Sequence, residues 1–161
     1  MIIIGYQGIG KSSLAGKNNC IDLDSGDFFV DGKRDANWYK CYVSIAEHLS
    51  DQGYTVFVSS HKVVRDELRK SKCRVACIFP ALHLKELWIK KLRDRYESTK
   101  KDKDYKAYMN AKEMYDQNIY DLSLDPFSTQ IIRRMDYLLC DLVEDLVLAK
   151  DSGYAHIYYR E

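Results

Sequence analysis

The stretch that decides the fold is Met1-Ile-Ile-Ile-Gly-Tyr-Gln-Gly-Ile-Gly-Lys-Ser-Ser-Leu-Ala-Gly16. Three consecutive isoleucines read as a short buried strand, since β-branched residues suit a pleated surface and a parallel strand is covered on both faces. The strand runs into a turn with glycine at 5, 8 and 10, and Lys11 opens a helix expected to reach Lys17. Strand, glycine turn and helix in immediate succession are the start of a β-α-β unit.

Working outward, short apolar runs alternate with amphipathic stretches. Cys20–Leu23, Tyr54–Ser60, Arg74–Phe79 and Thr129–Arg133 read as further strands. Trp38, Tyr42, Ile45 and Leu49 recur at helical spacing, and Gly53 ends that helix. His61–Ser71 is a polar helix. Leu84, Leu87, Trp88, Leu92 and Tyr96 form one helical stripe, and Tyr105, Tyr108, Tyr115, Ile119 and Leu122 another. Asp136–Lys150 is a last helix, and the tail Tyr154–Glu161 a candidate edge strand. This alternation predicts a single α/β domain over residues 1–161 with a mostly parallel sheet.

Composition narrows little. The chain carries 25 Lys plus Arg against 24 Asp plus Glu and has 46% hydrophobic residues. That balance argues mildly against a polymeric nucleic-acid partner, which remains possible but is not favoured. No run approaches the roughly 20 apolar residues of a membrane span. The opening isoleucines lack a basic leader, so they belong to the fold. Five scattered cysteines without a C-x-x-C read as core thiols of a reducing compartment, and a cytoplasmic location is expected. Cys73 and Cys77 are expected on one face of a strand.

The opening turn fits G-x-x-x-x-G-K-[ST] in full, from Gly5 to Ser12. This P-loop pattern has a mechanism. Glycines let backbone N–H groups converge on phosphate oxygens, and the following helix start adds its positive end. Gly5, Gly8, Ile9, Gly10, Lys11, Ser12 and Ser13 are thus the candidate nucleotide-binding residues. Lys11 is expected on the transferring phosphoryl group and Ser12 on Mg²⁺. The plain alternative is a glycine-rich turn with a stray lysine.

Asp22, Asp24 and Asp27 follow at the end of the second strand, where ligands gather in open α/β sheets. Asp22 is a candidate for Mg²⁺ and acceptor, and Asp24 for the acceptor and its orientation. Asp27 reads as a helix cap. A GTPase base-reading N-K-x-D is missing, and no apolar strand ends in the Asp-Glu pair of motor and transporter ATPases.

Residues 5–12, Asp22–Phe28 and Gly53–Arg69 together resemble the small P-loop kinases. The third segment, with Arg65-Asp66-Glu67-Leu68-Arg69, is similar to gluconate kinases. Asp22-Leu23-Asp24 matches the D-x-D of shikimate kinases, and nucleoside monophosphate kinases share the frame. The resemblance covers about residues 1–100. It implies a three-layer P-loop NTPase fold, a five-stranded sheet in the order 2-3-1-4-5, ATP with Mg²⁺, and a helical lid, here about residues 93–108. Ser59-Ser60-His61 departs from the glycine often found after the third strand, and the lid signature is degenerate.

Transferring a phosphoryl group needs cations from outside the loop. Arg93 and Arg95 match the lid arginines and are not ranked by sequence; their alternative is a solvated, ion-paired helix end. Arg65 and Arg69, one turn apart, are candidates to clamp an anionic acceptor, or else an exposed face paired with Asp66 and Glu67. His61 is a candidate base or a capping residue. Tyr105 and Tyr108 read as core rather than as a base-stacking pair. The expectation is an ATP-dependent kinase of a small-molecule acceptor, first a nucleoside monophosphate, with a hydroxyl acceptor (sugar acid or nucleic-acid end) second. A non-catalytic nucleotide-binding module is the reading of a different class.

Overall fold

The computed structural model describes residues 1–29, 31 and 33–149. Five strands, β1 (Ile2–Gly5), β2 (Cys20–Asp22), β3 (Thr55–Ser59), β4 (Val75–Pro80) and β5 (Ser128–Ile132), form one sheet in the order β2-β3-β1-β4-β5. Every pairing is parallel. β1 lies in the middle, paired from Ile2↔Val56 to Gly5↔Ser59 on one side and from Ile2↔Val75 to Gly5↔Ile78 on the other. A parallel strand flanked on both edges and both faces has no polar side to present. That is why β1 reads as an unbroken apolar run, and Ile2, Ile3 and Ile4 are completely buried.

Six α-helices are described: α1 (Lys11–Leu14), α2 (Trp38–Asp51), α3 (Lys62–Leu68), α4 (Lys85–Thr99), α5 (Asp102–Ser123) and α6 (Leu139–Leu148). α2 packs on β1, β3 and α3, while α5 packs on β4 and on α4. α4 and α5 form a hairpin turned at Lys100, whose φ of 53° gives the left-handed bend.

Several expectations need correction. The helix after the glycine turn stops at Leu14 rather than Lys17. Gly16, Asn18 and Asn19 all take positive φ, so the chain turns at once toward β2. Gly and Asn are the residues that tolerate that conformation. α6 starts at Leu139, three residues past the expected Asp136. Three residues of the predicted stripes face outward: Ile45, Leu87 and Tyr105 are 38%, 52% and 43% exposed. Trp88 and Leu92 of the same stripes are buried as expected, and Ala46 and Ala111, outside the predicted stripes, are buried as well. Tyr105 packs against Tyr96, with ring centroids 5.2 Å apart, rather than into the core. Cys73 precedes β4 and is half-exposed, so it does not share a strand face with Cys77; Cys41 is exposed, and only Cys20 and Cys77 are buried thiols. The candidate edge strand Tyr154–Glu161 lies outside the described residues. Among the described residues no helix is long and apolar enough to cross a membrane.

Candidate functional site

The carboxyl ends of β1, β2 and β3 lie side by side, so Gly5, Asp22 and Ser59 are brought to one edge. Tyr42 fastens that edge. Its hydroxyl donates to Leu23 O at 2.7 Å and accepts from Ser59 N at 2.9 Å. Burial pushes this phenol up to about 12, so it stays a protonated bridge.

The loop from Gly5 to Lys11 rises from this edge. Gly8 has φ +84° and Gly10 +101°, and a Cβ on Gly8 would stand 2.8 Å from Leu92 Cδ2. Position 8 therefore needs glycine twice over, for conformation and for space. Three clamps hold the loop. Tyr6 N donates to Ile78 O at 3.0 Å, Trp88 Nε1 to Gln7 O at 2.9 Å, and the Tyr137 hydroxyl to Ile9 O at 2.7 Å. Lys11 folds back so that Nζ donates to Gly5 O at 3.0 Å. Burial lowers its pKa, Asp22 and Asp24 hold it up, and Arg95 lowers it further. Ser12 Oγ donates to Asp22 Oδ2 at 2.8 Å, whereas Ser13 Oγ turns back onto Gly10 O at 2.6 Å.

A cavity of about 520 Å³ opens above the loop, walled by Asp22, Asp24, Ser59, Lys91, Arg95 and Lys103. Ser59 Oγ is buried and has no hydrogen-bond partner among the described residues. The structure separates the two arginines that the resemblance places in a lid. Arg95 lines the cavity and pairs with the buried Asp104 at 3.0 Å. Arg93 is half-exposed and lies outside the cavity beside Asp94. Lys91 also faces the cavity, its ammonium 4.5 Å from the Trp88 ring centre, and burial lowers its pKa.

A second cavity of about 820 Å³ adjoins the first; Gln7, Asp24, Ser25 and Lys103 line both. Asp24 has two roles here. Its Oδ1 accepts from Gly26 N at 2.8 Å and caps the 3-10 turn Ser25–Phe28, and its Oδ2 lies 3.5 Å from Lys103 Nζ. Asp27 lies inside that turn and lines neither cavity.

Arg34 is the cation that sequence reading overlooked. Its guanidinium is sandwiched between Phe29 and Trp38, 4.1 Å and 4.2 Å from the ring centres. It donates to Ser25 O at 2.6 Å, while its Nε is buried without a hydrogen-bond partner among the described residues. The aromatic sandwich fixes a charged group against the second cavity with donor capacity to spare. His61 sits beside it, its ring 5.9 Å from Trp38. Burial, then Arg34 and Lys11, lower its pKa, so the imidazole is neutral at pH 7.

The arginine pair on α3 does not form a matched clamp. Arg65 Nη1 donates to Asp125 Oδ2 at 2.5 Å, and Arg69 Nη2 takes the other oxygen of the same carboxylate. Asp125 is buried, as is Arg65, which also donates to Ser60 O at 3.2 Å. Arg65 still lines the second cavity; Arg69 lines neither, and its Nη1 is held by Asp66 at 2.6 Å. Tyr105 and Tyr108 line neither cavity.

Asn110 and Asn118 on α5, with Gln7 from the loop, complete the far wall of the second cavity. Local sequence offers no signal for this grouping, because Gln7 and Asn110 stand 103 residues apart. No protein-family model matches the chain, and no curated protein matches it.

Proposed function

We propose that this protein is a small kinase that moves the γ-phosphoryl group of ATP onto a nucleoside monophosphate. One observation carries the reading: a glycine-loop cavity and a cation-bearing cavity meet at Asp24, Ser25, Gln7 and Lys103. Donor and acceptor phosphates placed one in each would face each other across that junction.

The loop amides and Lys11 hold the donor's β- and γ-phosphates, as a phosphate-binding loop does. Ser12 and Asp22 form a hydroxyl–carboxylate pair suited to Mg²⁺, which takes one or two protein oxygens and completes its shell with phosphates and water. Among the described residues no larger ligand cluster competes for a metal. Held by that pair, Mg²⁺ would supply neutralising positive charge to the donor's phosphates. Arg95 and Lys103, from the two helices of the hairpin, add positive charge over the transferring group, and the hairpin serves as the lid.

In the transfer, an oxygen of the acceptor's phosphate forms a bond to the γ-phosphorus while the bond to the β-bridging oxygen breaks, leaving ADP. A phosphate nucleophile is already ionised, so Asp24 has a positioning task rather than a proton to accept. Arg34 holds the acceptor's anionic end through charge-assisted hydrogen bonds. A hydroxyl acceptor is the second reading, supported by the neutral His61 in the acceptor cavity, since a hydroxyl must lose its proton.

The test is Mg-ATP consumption with ribo- and deoxynucleoside monophosphates, gluconate, shikimate and DNA ends. ADP release dependent on a monophosphate is expected. Turnover with gluconate, shikimate or DNA ends alone selects the second reading, and nucleotide binding without turnover on any acceptor selects a binding module.

A further inference from the structure

The far wall of the second cavity is a cluster of three carboxamides. Asn110 Oδ1 accepts from Gln7 Nε2 at 3.0 Å and from Asn118 Nδ2 at 2.9 Å. Gln7 Nε2 also reaches the Tyr6 hydroxyl at 3.4 Å. Tyr6 is itself buried and held edge-on against Tyr115, ring centroids 5.9 Å apart. Gln7 is therefore backed by a rigid phenol, and Asn110 ties the other two amides together.

An amide offers two N–H donors and one carbonyl acceptor. In this cluster the amino groups of Gln7 and Asn118 are engaged, as is the Asn110 carbonyl. What remains is the Gln7 carbonyl, the Asn118 carbonyl and the Asn110 amino group. Among the described residues none of these three has a hydrogen-bond partner. The free set is thus two carbonyl acceptors and one amino group, on a cavity wall beside the apolar Ala107 and Leu122. The complementary partner is a flat edge with two donors and one acceptor. Guanine presents that set on its pairing edge, through N1–H, the 2-amino group and O6. Uracil and thymine present the reverse, one donor and two acceptors.

We infer that the Gln7–Asn110–Asn118 triad reads the base of the acceptor nucleotide and favours guanine. This rests on the nucleoside monophosphate reading above. It also places base selection partly in the glycine loop itself, because Gln7 belongs to the loop that grips the donor.

The test is direct binding of GMP, AMP, CMP and UMP to the full chain, without ATP, by isothermal titration calorimetry. The wild type and the Asn110→Leu and Asn110→Asp variants are compared. Asn110 is exposed on α5, and circular dichroism checks that the variants fold. The expected result is tightest binding of GMP, with at least about a tenfold margin over UMP, the size of one bidentate base contact. In Asn110→Leu the margin falls below about threefold, as the hub that orders the triad is gone. In Asn110→Asp the margin falls too, since a carboxylate repels O6. A preference for any other base, or a guanine margin that survives both variants, overturns the inference while leaving the kinase reading standing. No binding of any monophosphate to the wild type overturns both.

Discussion

Asp125 offers the most quantitative handle on how the site is held. Its carboxylate is fully buried and accepts from Arg65, whose side chain is only 7% exposed. Replacing Asp125 with alanine leaves the Arg65 guanidinium buried, with the carbonyls of Ser60 and Asp121 as its remaining partners. Removing one member of a buried ion pair costs about 3–5 kcal/mol, because the remaining charge keeps its desolvation penalty. Against a total stability of about 5–15 kcal/mol that is a large fraction. At about 2–4 °C per kcal/mol for a chain of this size, the midpoint falls by about 6–20 °C. Urea unfolding followed by tryptophan emission and far-ultraviolet circular dichroism measures it. The double variant Arg65→Met/Asp125→Leu should recover most of the loss, since an apolar pair of similar volume avoids the penalty. A loss below about 1 kcal/mol for Asp125→Ala would refute the reasoning. Arg69, with its side chain 42% exposed and outside both cavities, gives the functional arm. Arg69→Ala should leave acceptor KM within about twofold, and a tenfold rise would return it to the acceptor site.

Four further outcomes are expected. Lys11→Ala should abolish phosphoryl transfer with the fold intact by circular dichroism; wild-type turnover refutes the donor grip. Asp24→Asn should lower kcat by about a hundredfold, the cost of a misplaced reacting group, and an unchanged rate leaves Asp24 only its capping bond. Arg34→Ala should raise acceptor KM by about 10- to 100-fold, the worth of a charge-assisted hydrogen bond, with donor KM unchanged; Arg34→Lys should recover little of it, because an ammonium cannot reproduce the planar fork in its aromatic sandwich. His61 has its folded pKa depressed, so its stability contribution is full above its unfolded value near 6.5 and is lost as pH falls through that value. His61→Asn should therefore flatten the loss of stability between pH 7 and pH 5.5, by at most about 1.4 kcal/mol per pH unit; an unchanged slope counts against the assignment.

The strands were legible because β-branched runs in a parallel sheet are apolar without interruption, and Ile2–Ile4 is the plainest case. Their order came through the family resemblance, since nothing in the spacing of β2 and β4 says which side of β1 each takes. Helical stripes were legible in period but not in every member. Tyr42, Trp88, Leu92, Tyr115 and Ile119 are buried as read, while Ile45, Leu87 and Tyr105 fit the repeat yet face outward. At the site, Gly5–Ser12 and Asp22–Asp24 could be read because the chemistry is local in the chain. The grouping at the second cavity could not. Arg69 shares a face with Arg65, but the carboxylate that claims both lies 56 residues past Arg69. Arg34 belongs to no motif, and its place is set only where Phe29 and Trp38 close on it in the fold.

The single turn of α1 has a consequence for how charge is managed. A long helix lends its amino end a standing partial charge, but four residues align too few peptide dipoles for that. The positive potential in the first cavity is then built from the loop amides and from Lys11, Lys91, Arg95 and Lys103. Three of those four cations ride on the α4–α5 hairpin. Moving the hairpin away would strip out most of the field, and bringing it back would restore it. If the proposed donor anion sits there, the same hairpin that covers it would supply most of its attraction, and lifting the hairpin would weaken that hold.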